Sequence, residues 1–192
     1  MASSRSGERK NQILQTLAEM LEHPKGERIT TAALAAKLQV SEAALYRHFA
    51  SKAQMFEGLI DFIESSVFSL INTISESEES GLTQARKVAV MLLAFAERNK
   101  GMTRVLIGDA LVTEDDRLQE RMNQFLDRVE ASVRQCLRNA ITQNELPPTD
   151  DMQARASLIM HLVIGRWLRY AKSGWRKSPT EHLDAQLKLL LA

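Results

Sequence analysis

Residues 29–49 read Ile-Thr-Thr-Ala-Ala-Leu-Ala-Ala-Lys-Leu-Gln-Val-Ser-Glu-Ala-Ala-Leu-Tyr-Arg-His-Phe, and little besides two short helices joined by a tight turn accommodates them. Thr30 or Thr31 offers a hydroxyl to the orphan N–H groups of a first turn. Ala33, Leu34, Ala35, Ala36 and Leu38 continue as good helix formers. Leu34 and Leu38 lie four apart and share a face. Val40 is an apolar plug for the turn, and Ser41 is a second N-cap. Glu42 follows it, a negative charge where the helix dipole favours one. Leu45 and Phe49 form the inner face of the second helix, which leaves Ala43, Ala44, Tyr46, Arg47 and His48 for the outer and flanking faces.

That division suits a helix-turn-helix. The second helix enters the major groove by its N-terminal residues, and the first lies near the backbone. Small Ala43 and Ala44 let the helix approach base edges and can touch a thymine methyl. Tyr46, Thr30 and Thr31 can bind phosphates, which positions the protein without specifying sequence. Lys52, just after the cap Ser51, is a further candidate phosphate contact. The competing reading is an ordinary helical hairpin in a core. The agreement of apolar spacing, caps and polar outer face weighs against it.

The chain of 192 residues fits one or two domains. Its 44% hydrophobic content can fill a core, while 5% aromatics and four prolines, with no sustained alternation, point to an all-α fold. The net charge of +1 excludes a generally basic DNA-coating protein. Residues 1–58 nevertheless carry eight Lys and Arg against six Glu, and the remainder is slightly acidic. The single cysteine, Cys136, allows no intramolecular disulfide, so a reducing cytosol is the expected compartment. No apolar run approaches the ~20 residues that span a bilayer. Residues 1–7 lack a signal core and are expected to be a flexible arm.

Residues 8–52 should form a three-helix head. Ile13, Leu17 and Leu21 stripe a first helix over 8–22, with Leu14 and Ala18 beside it, and Pro24 and Gly26 end it. Residues 53–192 should form a helical body, for about nine helices in all. Periodicity predicts helices over 52–75, 82–99, 102–110, 114–142, 150–172 and 180–191, with Asn99-Lys100-Gly101 as a stop. Leu118, Met122, Phe125, Leu126, Val129, Val133, Cys136, Leu137 and Ile141 make a seam that fits a bundle helix better than a coiled coil. Gly165, unfavourable mid-helix, suggests a close helix–helix approach.

His23, His48, His161 and His182 are scattered, and one thiol adds no ligand set, so no metal or other cofactor is expected. There is no Gly-rich phosphate loop and no nucleophile elbow, which argues against an enzyme.

The run Ile29-Thr-Thr, Leu34-Ala-Ala-Lys-Leu, Val40-Ser-Glu-Ala-Ala-Leu-Tyr-Arg-His-Phe and Ser51-Lys52 resembles the TetR family of regulators. Arg28-Ile-Thr-Thr-Ala, Phe62-Ile-Glu, Glu97-Arg-Asn, Thr103-Arg and Asp116-Arg-Leu-Gln-Glu-Arg extend the likeness to the nucleoid-occlusion branch of that family, densely over residues 9–130. The resemblance implies DNA contacts from Thr30, Thr31, Ala32, Ser41, Ala43, Ala44, Tyr46, Arg47, His48 and Lys52 on palindromic duplex sites. It implies a homodimer through the last two helices, with Leu162, Gly165, Leu183 and Leu187 at the interface. It also implies a nucleoid-associated cytoplasmic protein whose body takes the C-terminal tail of the division protein FtsZ. Phe62, Leu70, Met91, Ala94, Arg98 and Asn99 would line that groove, between the helices at 52–75 and 82–99. Relatives carry a glycine where Ala94 stands and an arginine where Leu70 stands. Physically, Arg98 and Arg104 could hold an acidic peptide with Phe62 and Met91 as apolar anchors. Two other readings stay open: a repressor switched by a small ligand in its body, and a helical dimer that never touches DNA.

Overall fold

The computed structural model describes residues 2–23, 29–149 and 151–191, with side chains from residue 7 onward. The expected helix breakers Pro24 and Gly26 lie outside the described residues. Nine α-helices and no strand occur among those described: α1 Ala2–Leu21, α2 Thr31–Lys37, α3 Glu42–Tyr46, α4 Lys52–Ser77, α5 Gly81–Arg98, α6 Lys100–Leu106, α7 Asp116–Thr142, α8 Met152–Lys172 and α9 Leu183–Leu190. The chain divides into two compact units, residues 1–63 with 99–122, and residues 64–98 with 123–192.

In the first unit, α1 buries Ile13, Leu17 and Leu21 as its periodicity requires. The helix starts at Ala2, so residues 2–7 are helical where an arm is expected. The stop expected at Asn99-Lys100-Gly101 falls on Asn99, which separates α5 from α6, and Gly101 is not part of it. Gly101 lies inside α6, where a Cβ would fall 1.8 Å from the Ala18 carbonyl oxygen, so the α6 and α1 backbones touch. Arg104 is only 8% exposed. Its Nε donates to Asp109 Oδ2 at 3.0 Å, and its Nη1 donates to the Leu21 and His23 carbonyls, each at 3.3 Å. The Leu21 carbonyl is an orphan acceptor of the α1 end, and the His23 carbonyl lies just beyond it. Arg104 therefore closes α1 and is not free to hold a peptide.

In the second unit, α8 packs on α5 through Trp167, which is fully buried and donates its indole N–H to the Leu92 carbonyl at 3.1 Å. Tyr170 donates its hydroxyl to the Glu97 carbonyl at 3.3 Å. The α7 seam here, Phe125, Val129, Val133, Cys136, Leu137 and Ala140, is buried within this chain, so α7 serves as a bundle helix. Burial pushes the Cys136 thiol up to about 11. The start of α5 is pinned from outside. Gly81 N–H donates to Gln143 Oε1 at 2.8 Å and Leu82 N–H to Glu145 Oε2 at 3.0 Å. A Cβ on Gly81 would meet Ala140 N at 2.3 Å. No helix among the described residues is long and apolar enough to cross a membrane.

Candidate DNA interface and outward surfaces

Thr30 Oγ1 accepts the Ala33 N–H at 3.1 Å and caps α2. The turn that follows requires Gln39 in the left-handed region, at φ 56°. There Gln39 N–H reaches the Ala36 carbonyl at 3.1 Å and Val40 N–H the Ala35 carbonyl at 3.0 Å. These two bonds are a Schellman closure, here built without glycine. Ser41 Oγ then accepts the Ala44 N–H at 3.3 Å and starts α3. This helix ends at Tyr46 rather than Phe49, with Arg47 as its C-cap and His48 in the turn. The Phe49 N–H still bonds the Leu45 carbonyl at 3.1 Å, and both side chains stay buried. Leu34, Ala35, Leu45 and Phe49 thus hold the two helices by their inner faces.

The outer side carries Thr30, Ala32, Ser41, Ala43, Tyr46 and Arg47 exposed, with Thr31, Ala44, His48 and Lys52 half-buried. Tyr46 donates its hydroxyl to Thr31 Oγ1 at 3.5 Å, and Thr31 donates to Glu42 Oε2 at 2.6 Å. This chain of three side chains ties α2 to α3 across the surface. Glu42, read from the sequence only as a dipole partner, also fixes the Thr31 hydroxyl. Lys52 does not stand free. Its ammonium pairs with Glu114 Oε1 at 2.5 Å and lies 5.6 Å from the Phe56 ring centroid. Glu114 comes from the segment between α6 and α7, and no local sequence signal links it to Lys52.

Of the remaining assigned residues, Phe62 and Asn99 fall in the first unit, and Leu70, Met91, Ala94 and Arg98 in the second. Phe62 is 51% exposed and Leu70 42%, so neither is a core residue. Arg98, the last residue of α5, is exposed, Asn99 is the N-cap of α6, and Met91 and Ala94 are half-buried. The outward face of α8 runs through Leu158, His161, Leu162, Gly165, Leu168 and Arg169. A Cβ on Gly165 would meet nothing within 4 Å, so no described element packs directly against it. Leu183 and Leu187 belong to the chain's own core at 6% and 0% exposure. They sit inside, and exposed Leu189 is the outward apolar residue of α9. His161 is exposed, with Nδ1 2.7 Å from the Ser157 carbonyl oxygen. Among the described residues no three His, Cys, Asp or Glu side chains gather where they could hold a metal ion.

Two family models match the chain. Residues 13–59 fit the bacterial regulatory proteins of the tetR family, and residues 79–192 fit a SlmA-like, tetracyclin repressor-like C-terminal domain. The chain is 48% identical over 194 residues to the nucleoid occlusion factor SlmA of Vibrio cholerae, covering 100% of this chain and 98% of that protein. It is 46% identical over 182 residues to SlmA of Idiomarina loihiensis, covering 95% and 93%. A solved structure of the fatty acid degradation regulator FadR from Bacillus halodurans superposes with a TM-score of 0.79 over 95% of this chain and 94% of that one. At 12% identity that likeness speaks to the fold alone. Capped helix-turn-helix, all-helical body and full-length identity agree: the chain belongs to the SlmA family of TetR-type nucleoid occlusion factors.

Proposed function

We propose that the protein is a nucleoid occlusion factor. It binds palindromic chromosomal sites as a homodimer through α2 and α3 and, while bound, restrains FtsZ-ring assembly over the nucleoid. It works by binding and carries out no catalysis. The observation that carries this reading is the 46–48% identity to SlmA proteins along essentially the whole chain, body as well as head. A shared head alone would support only DNA binding. The head geometry supports the DNA half: capped α3 presents Ala43, Tyr46 and Arg47 outward, small residue and cation together. Exposed Leu70 and Arg98, both in the second unit, support a second, peptide-binding surface.

The domain reading follows the same division. The head spans residues 8–52 and the body 53–192, the body serving dimerisation and partner binding. Sequencing of DNA recovered with the tagged protein tests the proposal. Many scattered palindromes, depleted around the replication terminus, are expected. A single promoter beside its own gene would instead mark a ligand-switched repressor.

A further inference from the structure

The geometry points to Glu114 as a determinant of DNA affinity that acts by withholding Lys52 from the phosphate backbone. The inference rests on the DNA-binding reading above and adds a residue outside the helix-turn-helix to it.

Lys52 is the first residue of α4, directly after the cap Ser51 and six positions beyond Tyr46. An ammonium at that place in the head is available to a phosphate only if nothing else claims it. Here Glu114 Oε1 lies 2.5 Å from Lys52 Nζ, and the two side chains are 9% and 20% exposed. Both residues belong to the first unit, as do α2 and α3. A pair this shielded is screened by salt far less than a surface pair. A Lys52 ammonium already paired with Glu114 contacts no phosphate and so displaces no counterion when DNA arrives. A phosphate must displace the carboxylate, leaving a nearly buried Glu114 without its cation, which is unfavourable. Glu114 itself is anchored, since its N–H bonds the Leu111 carbonyl at 2.9 Å. The pair therefore lowers the cationic charge that the head presents to every sequence alike. Discrimination is left to α3, whose outer residues make no bond to Glu114.

The consequence separates affinity from specificity. Removing the negative charge at 114 adds one available cation per head. Binding to operator and to unrelated duplex should both tighten severalfold. The dependence of log K on log salt should steepen by about 0.9 for each head engaged. The order of preference among sequences should not change.

The experiment titrates full-length wild type, Glu114→Gln, Glu114→Asp, Lys52→Ala and the Glu114→Gln/Lys52→Ala double variant against labelled operator and a scrambled duplex at four salt concentrations. Circular dichroism melts establish folding. Glu114→Gln should bind both duplexes more tightly with the steeper slope, and the double variant should lose that gain. Glu114→Asp keeps the charge but draws the carboxylate back, so it should show a smaller gain in the same direction. Unchanged or weakened binding by folded Glu114→Gln overturns the inference. So does a gain that survives in the double variant. If Glu114→Gln does not fold, weakened or unchanged binding by Glu114→Asp overturns it. Wild type that ignores duplex DNA would instead remove the DNA-binding reading itself.

Discussion

Gly101 and Ala18 meet backbone to backbone, with room for hydrogen but none for a methyl: a Cβ at 101 would stand 1.8 Å from the Ala18 carbonyl oxygen. The contact fixes α6 against α1, and Arg104 on the next turn closes the end of α1 by donating to Leu21 and His23. Gly101→Ala must push the two helices apart. Overpacking of this kind costs about 1–3 kcal/mol, and the obstacle here is rigid backbone rather than a flexible side chain. The melting temperature should fall by several degrees, and DNA affinity should fall with it because α1 supports the head. A variant melting with wild type would mean that α6 and α1 are not held as described.

The recognition surface makes a graded set of expectations. Tyr46→Ala removes an exposed hydroxyl that meets Thr31, so binding should weaken alike for all sequences. Ala43→Glu places a carboxylate where α3 approaches base edges, so specific binding should be abolished. Ser41→Ala removes the cap of a five-residue helix and should lose about 1 kcal/mol of stability. Anisotropy titrations against operator and scrambled DNA read the first two outcomes, and a thermal melt reads the third. Wild-type affinity in both Tyr46→Ala and Ala43→Glu would mean that the surface is not the reader.

What the sequence made legible here was local. Thr30 and Ser41 cap where their hydroxyls predict, because a cap acts on an N–H three residues away. The Ile13, Leu17 and Leu21 stripe of α1 is buried where its period places it, as is the α7 seam apart from half-buried Leu126 and Ile141. What it hid was long-range. Lys52 reads as a free cation because Glu114 is 62 positions away. Arg104 reads as a surface arginine because the carbonyls it satisfies lie more than 80 positions earlier. Gly101 reads as a stop because a glycine signals equally a helix end or a close approach. Leu183 and Leu187 read as a dimer face, but a short amphipathic helix buries one apolar stripe against its own chain first.

Cys136 offers a direct test of the second unit's packing. Burial raises its thiol to about 11, so the neutral form is favoured in the folded state. The sign follows: this group's contribution to stability is complete below its ordinary value near 9.0 and is lost as pH rises through about 11. At pH 8 only about one thiol in a thousand is ionised, so native protein should react with a thiol reagent far more slowly than unfolded protein. Rapid labelling of native protein would show that the α7 seam opens.

The face of α8 around Gly165 is expected to meet a second copy. Exposed Leu158 and Leu168 flank a glycine whose Cβ position has no described atom within 4 Å, an arrangement suited to close helix contact. Gly165→Leu should shift sedimentation from dimer to monomer while leaving the helical content intact. A dimer places two α3 helices about 34–36 Å apart, one turn of DNA, so the variant should also lose cooperative operator binding. Wild type that sediments as a monomer at micromolar concentration would remove this interface.

Arg98 decides between an occlusion factor and an ordinary repressor. It is exposed at the end of α5 and lies outside the head, so reversing its charge should leave operator affinity nearly unchanged. The FtsZ tail is a short peptide, and an acidic peptide gains charge-assisted hydrogen bonds from a guanidinium. Arg98→Asp replaces that attraction with repulsion, so tail affinity should drop by at least tenfold, about 1.4 kcal/mol. Phe62→Ala removes a ring that is 51% exposed, so the melting temperature should change little. In cells, overproduced wild type should block division and give filaments, while Arg98→Asp at the same level should not. Paired titrations against labelled operator and labelled tail, each with and without the other ligand, measure both halves. Tight operator binding together with indifference to the tail in every condition would leave a DNA-binding repressor and remove the link to division.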